Sequence, residues 1–208
     1  MLLVKNLSFY RNQKIIFENI DLSLSPNKII HLKGSNGVGK TTLLKILTKG
    51  LQPQKGEIFW QGKNIFKNSS DYFQNLTYIM DINTSKKEMT VIENINFWKK
   101  LFSSKINSKE LDSVLKILSI EKYENSLVST LSKGEFRKLE LCRLVIEQKK
   151  LWLLDEPYSD IDNESIELLT ETFKNHIKSN GMIIFSSHHN PELQNTEVIE
   201  IKKNYETL

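Results

Sequence analysis

Gly34 to Thr41 read Gly-Ser-Asn-Gly-Val-Gly-Lys-Thr. Every fixed position of the phosphate-binding pattern G-x-x-x-x-G-K-[ST] is filled. The β-branched run Lys28-Ile29-Ile30-His31-Leu32 precedes it, and Thr41-Thr42-Leu43-Leu44-Lys45-Ile46-Leu47 follows with helical spacing. Strand, glycine loop and helix form the context in which the pattern cradles phosphate: glycines turn backbone N–H groups inward, and the helix N-terminus adds positive potential. The candidate phosphate-binding residues are therefore Gly34, Ser35, Asn36, Gly37, Val38, Gly39, Lys40, Thr41 and Thr42. Lys40 is placed to reach the β- and γ-phosphates, and the Thr41 hydroxyl to ligate Mg²⁺.

A second piece of the same chemistry lies far along the chain. Leu151-Trp152-Leu153-Leu154-Asp155-Glu156-Pro157 is an apolar run ending in two carboxylates. A strand buried on both faces of a parallel sheet is continuously apolar. Acids at its C-terminal edge stand where a phosphate-loop fold holds its metal, so Asp155 is the candidate second Mg²⁺ residue. Glu156 is the candidate general base for the water attacking the γ-phosphate.

The bulk numbers bound the rest. The chain has 208 residues, 39% hydrophobic and 26% charged, in the range of a soluble globular domain. No apolar run approaches the ~18–20 residues a membrane span needs. The N-terminus, Met1-Leu2-Leu3-Val4-Lys5-Asn6, shows no secretory signal pattern. The single cysteine, Cys142, cannot form an internal disulfide and fits a reducing compartment, as a buried filler on a helix. A net charge of +4, with lysines scattered among acids, reads as solvated faces, and nucleic-acid binding is not expected.

The first third is strand-rich, over Leu2–Tyr10, Ile15–Leu24, Lys28–Leu32 and Gly56–Trp60. The middle, about Thr90 to Glu147, is helical: Val91, Ile95, Trp98 and Phe102 form one apolar stripe, and Leu111, Val114, Leu115 and Leu118 another. The last third alternates strand Leu151–Leu154, helix about Glu164–Lys178 and strand Met182–Phe185. The expected fold class is α/β with a mostly parallel sheet and the ligand at the strand C-termini. The helical middle reads as an inserted lobe.

Between the two nucleotide motifs lies Leu131-Ser132-Lys133-Gly134-Glu135, 23 positions before Asp155 counting from Ser132. It resembles the signature motif of ATP-binding cassette (ABC) proteins, usually Leu-Ser-Gly-Gly-Gln. Ser159-Asp160-Ile161-Asp162 is similar to the family's D-loop, although Asp160, Asp162 or Asn163 would equally cap the following helix. Ser186-Ser187-His188 resembles the switch-histidine motif, and His189 beside it is given a structural place. Tyr10 resembles the aromatic that stacks on adenine, with Phe9 as the competing position and plain packing at a strand end as the alternative role. The resemblance covers nearly the whole chain.

It implies a phosphate-loop NTPase of the ABC ATPase type: a RecA-like core (about 1–83 and 148–208), an antiparallel β subdomain and an inserted α-helical subdomain (about 84–147) within one domain, 1–208. It implies ATP and Mg²⁺ as ligands, with Lys40, Glu156 and His188 catalytic and Thr41 and Asp155 at the metal. It also implies a homodimer in which the partner's Ser132 and Gly134 close on the γ-phosphate, each ATP being held between two subunits. The local wording of Gly34–Gly37, Gly56–Gly62, Asp71–Leu76, Leu151–Pro157 and the Ser-Ser-His-His run is similar to the ATP-binding subunits of haem exporters in cytochrome c maturation. That similarity implies integral membrane partner subunits and a peripheral place on the cytoplasmic face of a bacterial inner membrane. No direct haem site is seen in the sequence: His188 and His189 are accounted for by the switch motif, and no Cys-Pro or Cys-x-x-Cys-His occurs.

Two departures stand out. The family's Q-loop glutamine is expected near Ile82, whose side chain neither ligates Mg²⁺ nor accepts a hydrogen bond; Asp81 or Asn83 would have to substitute. In the signature, Lys133 replaces glycine and Glu135 replaces glutamine, which implies slow or partner-dependent turnover. Another small ABC transporter motor and a low-turnover nucleotide-binding regulatory module remain as alternatives. A soluble tandem-cassette protein of translation or repair fits less well, since the chain carries one cassette.

Overall fold

The computed structural model describes residues 1–82 and 84–202, Ile117 by its backbone alone. Nine strands and six helices follow in the order β1 (Leu2–Arg11), β2 (Lys14–Leu24), β3 (Lys28–Lys33), α1 (Lys40–Leu47), β4 (Lys55–Trp60), β5 (Lys63–Asn64), α2 (Ser70–Gln74), β6 (Leu76–Ile79), α3 (Val91–Leu101), α4 (Ser108–Ile117), α5 (Lys133–Ile146), β7 (Leu151–Asp155), α6 (Asn163–Lys178), β8 (Met182–Ser186) and β9 (Thr196–Glu200), counted among the described residues. They form an antiparallel sheet, β2-β1-β4-β5, and a second sheet, β6-β7-β8-β3-β9, whose pairings are all parallel. The expected mixed α/β architecture is the observed one.

The parallel strands separate two cores by simple alternation. Leu151, Leu153, Met182 and Ile184 face α1 and the antiparallel sheet. Trp152, Leu154, Ile183 and Phe185 face the helical side, joined there by Val91, Ile95, Leu111, Leu139 and Phe173. Both apolar stripes read from the sequence are buried here; Phe102 sits half-buried at the end of α3. Cys142 lies fully buried in the same cluster, where burial pushes its thiol up to about 12.

The three helices of the middle segment start alike. Thr90 with Glu93, Asn107 with Glu110, and Ser132 with Glu135 each form a reciprocal capping box. Two short elements, β5 and α2, escaped the sequence reading because neither is long enough to show a period. Tyr72 of α2 is buried, and its hydroxyl donates to the Leu47 carbonyl, tying α2 to the end of α1.

Candidate active site

Three neighbouring strands end at one edge. Asp155 of β7 pairs with Ser186 of β8, which pairs with Leu32 of β3. The acidic strand end, the Ser-Ser-His run and the phosphate loop therefore arrive side by side, although their sequence positions span more than 150 residues. His31 on β3 reinforces the junction: its ring stacks on Phe185 at 4.3 Å, and its Nε2 lies 3.0 Å from the Ser187 carbonyl. Burial lowers the His31 pKa below its ordinary value.

In the loop, Gly39 adopts φ 117, and a Cβ there would come within 2.7 Å of the Ile16 methyl Cγ2. Only glycine lets β2 pack this closely on the loop. Gly39 caps α1 without any side-chain hydrogen bond, so no capping side chain claims the first amides of α1. The Lys40 ammonium folds over the loop, donating to the Gly34 carbonyl at 2.7 Å and the Ser35 carbonyl at 3.3 Å.

The acids stand at the end of β7, beside β8. Asp155 is buried, and its Oδ1 accepts from the Ser186 hydroxyl at 2.6 Å, while its Oδ2 is buried with no partner. An orphaned carboxylate oxygen at a strand end suits a cation. Among the described residues no cluster of three His, Cys, Asp or Glu side chains could hold a metal by itself. Any cation at Asp155 Oδ2 would need further oxygen donors from outside such a cluster. Glu156 has a left-handed backbone, φ 47. Its N–H donates to the carbonyl and hydroxyl oxygens of Ser186, both at 3.1 Å. Its Oε2 accepts from the His188 N–H at 3.4 Å, and its Oε1 lies 3.8 Å from His188 Nε2. A donating Nε2–H accounts for the 2.6 Å contact of His188 with the Asn36 side-chain oxygen, with Lys40 Nζ 3.5 Å away. Lys40, Glu156, His188 and Asn36 thus meet at one point.

Tyr10 and Phe9 separate cleanly. Phe9 is buried against Phe17, with ring centroids 6.2 Å apart, whereas Tyr10 is half-buried and donates to Glu18 Oε1 at 2.6 Å. Ser132 caps α5, accepting from the Glu135 N–H, while the Glu135 carboxylate accepts from the Ser132 N–H at 2.8 Å. A hydrogen bond from Tyr123 leads the causes that hold the Glu135 pKa below the ordinary carboxylate value. Lys133 pairs with Asp160 at 2.9 Å, and Lys138 with Asp162 at 2.6 Å. Asp162, rather than Asn163, caps α6. A Cβ on Gly134 would meet the Asp160 carbonyl at 2.5 Å, so the start of α5 and the Asp160 loop touch through that glycine. Among the described residues no hydrogen bond or ion pair joins Ser132 or Gly134 to the phosphate loop of the same chain. Ile82 is 65% exposed; Asn83 lies outside the described residues. Two residues escaped the sequence reading: Ile16, which touches the loop, and Arg137, a buried guanidinium bonded to the Met80, Asp155 and Glu156 carbonyls. The one sequence signal for Arg137 was a charge among the apolar positions of a helix.

This fold and loop define a phosphate-loop nucleotide-binding domain. The family described as ABC transporter matches residues 17–159. The cytochrome c biogenesis ATP-binding export protein CcmA of Vibrio vulnificus is 32% identical over 97% of this chain and 98% of its own length. The protein of the same name from Idiomarina loihiensis is 36% identical over 90% of this chain and 85% of its own. Among solved structures, an ABC transporter ATP-binding protein from Pyrococcus furiosus superposes with a TM-score of 0.82 at 24% identity, covering 96% of each chain. The dimeric structure of MJ0796, a bacterial ABC transporter cassette, gives 0.82 at 18% identity over 97% of this chain and 94% of that one. The chain belongs to the ABC transporter family and is its ATP-binding, ATP-hydrolysing component.

Proposed function

We propose that this chain powers a small transporter that exports haem, or releases a haem-loaded chaperone, during c-type cytochrome assembly. The observation that carries the reading is the near full-length match to relatives bearing the CcmA name. The convergence of Lys40, Asp155, Glu156 and His188 at one strand edge supports the chemistry. In this reading residues 34–42 cradle the phosphates and Lys40 neutralises their charge. Tyr10 stacks on adenine. Thr41 and Asp155 hold Mg²⁺, which neutralises phosphate charge when bound. Glu156 takes a proton from the attacking water, and His188, positioned by Asn36, holds the γ-phosphate side of that water.

The chain acts as one cassette: a core of about 1–83 and 148–208 carries the loop and acids, and a helical portion of about 84–147 carries the signature. Two copies pair head to tail, so that the partner's Ser132, Gly134 and α5 N-terminus close on the γ-phosphate. Integral membrane subunits would receive the work at the cytoplasmic face of a bacterial inner membrane; no described helix is long and apolar enough to cross one.

Glu156→Gln tests the hydrolytic part. It should keep Mg-ATP affinity, lose hydrolysis by about 10²- to 10⁴-fold and accumulate as an ATP-bound dimer in size-exclusion chromatography. Wild-type turnover or a monomer under saturating ATP would refute it. Copurification from native membranes, with the membrane subunits then identified, tests the haem-export part; subunits of a drug or lipid transporter would overturn it.

A further inference from the structure

Helix α5 does more than present the signature. Arg137, 5% exposed, makes no ion pair among the described residues. Its guanidinium instead rests on main-chain carbonyls. Nη1 donates to Met80, the last residue before the loop at Asp81-Ile82, and Nη2 donates to Asp155 at 2.7 Å and Glu156 at 2.8 Å. Its Nε is buried without a partner, so the two Nη groups carry all of its hydrogen bonds, and a buried charge held this way fixes those backbone acceptors firmly. One of them belongs to Glu156, whose left-handed backbone is a conformation that a β-substituted residue keeps only when its surroundings hold it there.

One turn further along the same helix, Glu140 is 1% exposed. Its carboxylate accepts from the N–H and hydroxyl of Thr84, at 2.8 and 2.7 Å, and from the N–H and hydroxyl of Ser85, at 2.7 and 2.6 Å. The segment that should carry the missing glutamine is thus tied to α5 at both ends, by Arg137 on one side and Glu140 on the other. The same helix begins at Ser132 and Gly134, and one of its guanidinium nitrogens holds the backbone of the base.

We propose that Arg137 and Glu140 are positioning residues for hydrolysis. They lock Met80 and Thr84–Ser85 to α5, and Arg137 extends the lock to Glu156, so that a shift of the helix start when a partner subunit closes is carried to the base through backbone rather than through a glutamine side chain. This rests on the hydrolytic reading of the site above. The side chain at Ile82 is then free to be apolar, because the loop signals by where its backbone is held.

The test uses the full chain carrying Arg137→Lys, Arg137→Gln or Glu140→Ala. Amide hydrogen exchange without nucleotide should speed at least about tenfold across residues 155–159 in the Arg137 variants and across 84–86 in Glu140→Ala, with 34–41 unchanged. Under saturating Mg-ATP, kcat should fall at least about tenfold in each while KM stays within about twofold. Added to Glu156→Gln, Arg137→Lys should cause no further loss, because it acts through that residue. Unchanged exchange in 155–159, KM rising together with falling kcat, or an equal loss in the Glu156→Gln background would overturn the role of Arg137. Should the Arg137 variants fail to fold, wild-type kcat in Glu140→Ala overturns the clamp alone. A wild-type chain without hydrolysis would instead sink the hydrolytic reading, while the exchange data still report on the clamp.

Discussion

Ser186→Ala removes one oxygen from a buried junction and leaves its shape otherwise intact. The Ser186 hydroxyl donates to Asp155 Oδ1 at 2.6 Å and accepts from the Glu156 N–H at 3.1 Å. The Glu156 amide keeps the Ser186 carbonyl, also at 3.1 Å, so no donor is stranded. Asp155 is different: its Oδ2 already lacks a partner, so losing the hydroxyl strips the second oxygen of a carboxylate that is 1% exposed. A hydrogen bond to a charged group contributes about 1.5–3 kcal/mol, and the orphaned oxygen pushes the loss toward the upper end. For a chain of this size that corresponds to about 3–12 °C in Tm. Ser187→Ala is the matched control. Its hydroxyl is also buried but accepts only a neutral N–H, that of His189 at 2.9 Å, a bond contributing about 0.5–1.5 kcal/mol. Thermal and urea unfolding of both variants, free of nucleotide and Mg²⁺, should show a Ser186→Ala loss at least about twice that of Ser187→Ala. Equal losses, or none at Ser186, would refute the argument that the orphaned carboxylate sets the cost.

Other expectations follow from the same geometry. Burial lowers the His176 pKa to about 4, and its ring stacks on Trp152 at 3.5 Å. The unfolded chain then binds more protons between about pH 6.5 and 4, so stability is full above that window and falls as pH drops through it. His176→Phe, which retains the stack, should flatten the pH dependence seen in urea titrations at pH 7, 5.5 and 4.5. Gly134→Ala should force α5 from the Asp160 carbonyl, 2.5 Å from the new Cβ, costing about 1–3 kcal/mol and slowing hydrolysis while nucleotide titration of the monomer stays unchanged. Asp81 directly follows Met80, whose carbonyl Arg137 holds, whereas Ile82 is 65% exposed. Asp81→Ala should therefore lower steady-state hydrolysis about tenfold, the equivalent of about 1.4 kcal/mol, and Ile82→Gln should leave it within about twofold; the reverse pattern would give the sensing role to position 82.

The sequence alone determined the fold class and the phosphate loop, because both rest on local information. The run Gly34–Thr41 states its own backbone requirement, and continuous apolar strands such as Leu151–Leu154 occur where both faces are buried. The apolar stripes of the middle segment likewise fixed which helix faces turn inward. What remained open needed distance. Phe9 and Tyr10 are neighbours with similar side chains, strand alternation sends them to opposite faces, and only the packing of β1 decides that Phe9 enters the core and Tyr10 reaches Glu18. Lys133 reads only as a charge in place of the signature glycine until the fold brings Asp160 within 2.9 Å. Glu140 and Arg137 carry no sign in the sequence of what they touch. Their partners, Thr84, Ser85, Met80 and the Asp155–Glu156 carbonyls, lie 18 to 57 residues away. A charge on a helix carries no mark of whether it meets water or a backbone carbonyl; that is settled by which elements pack against it, and in this chain the packing of α5 on the ends of β6 and β7 decided it.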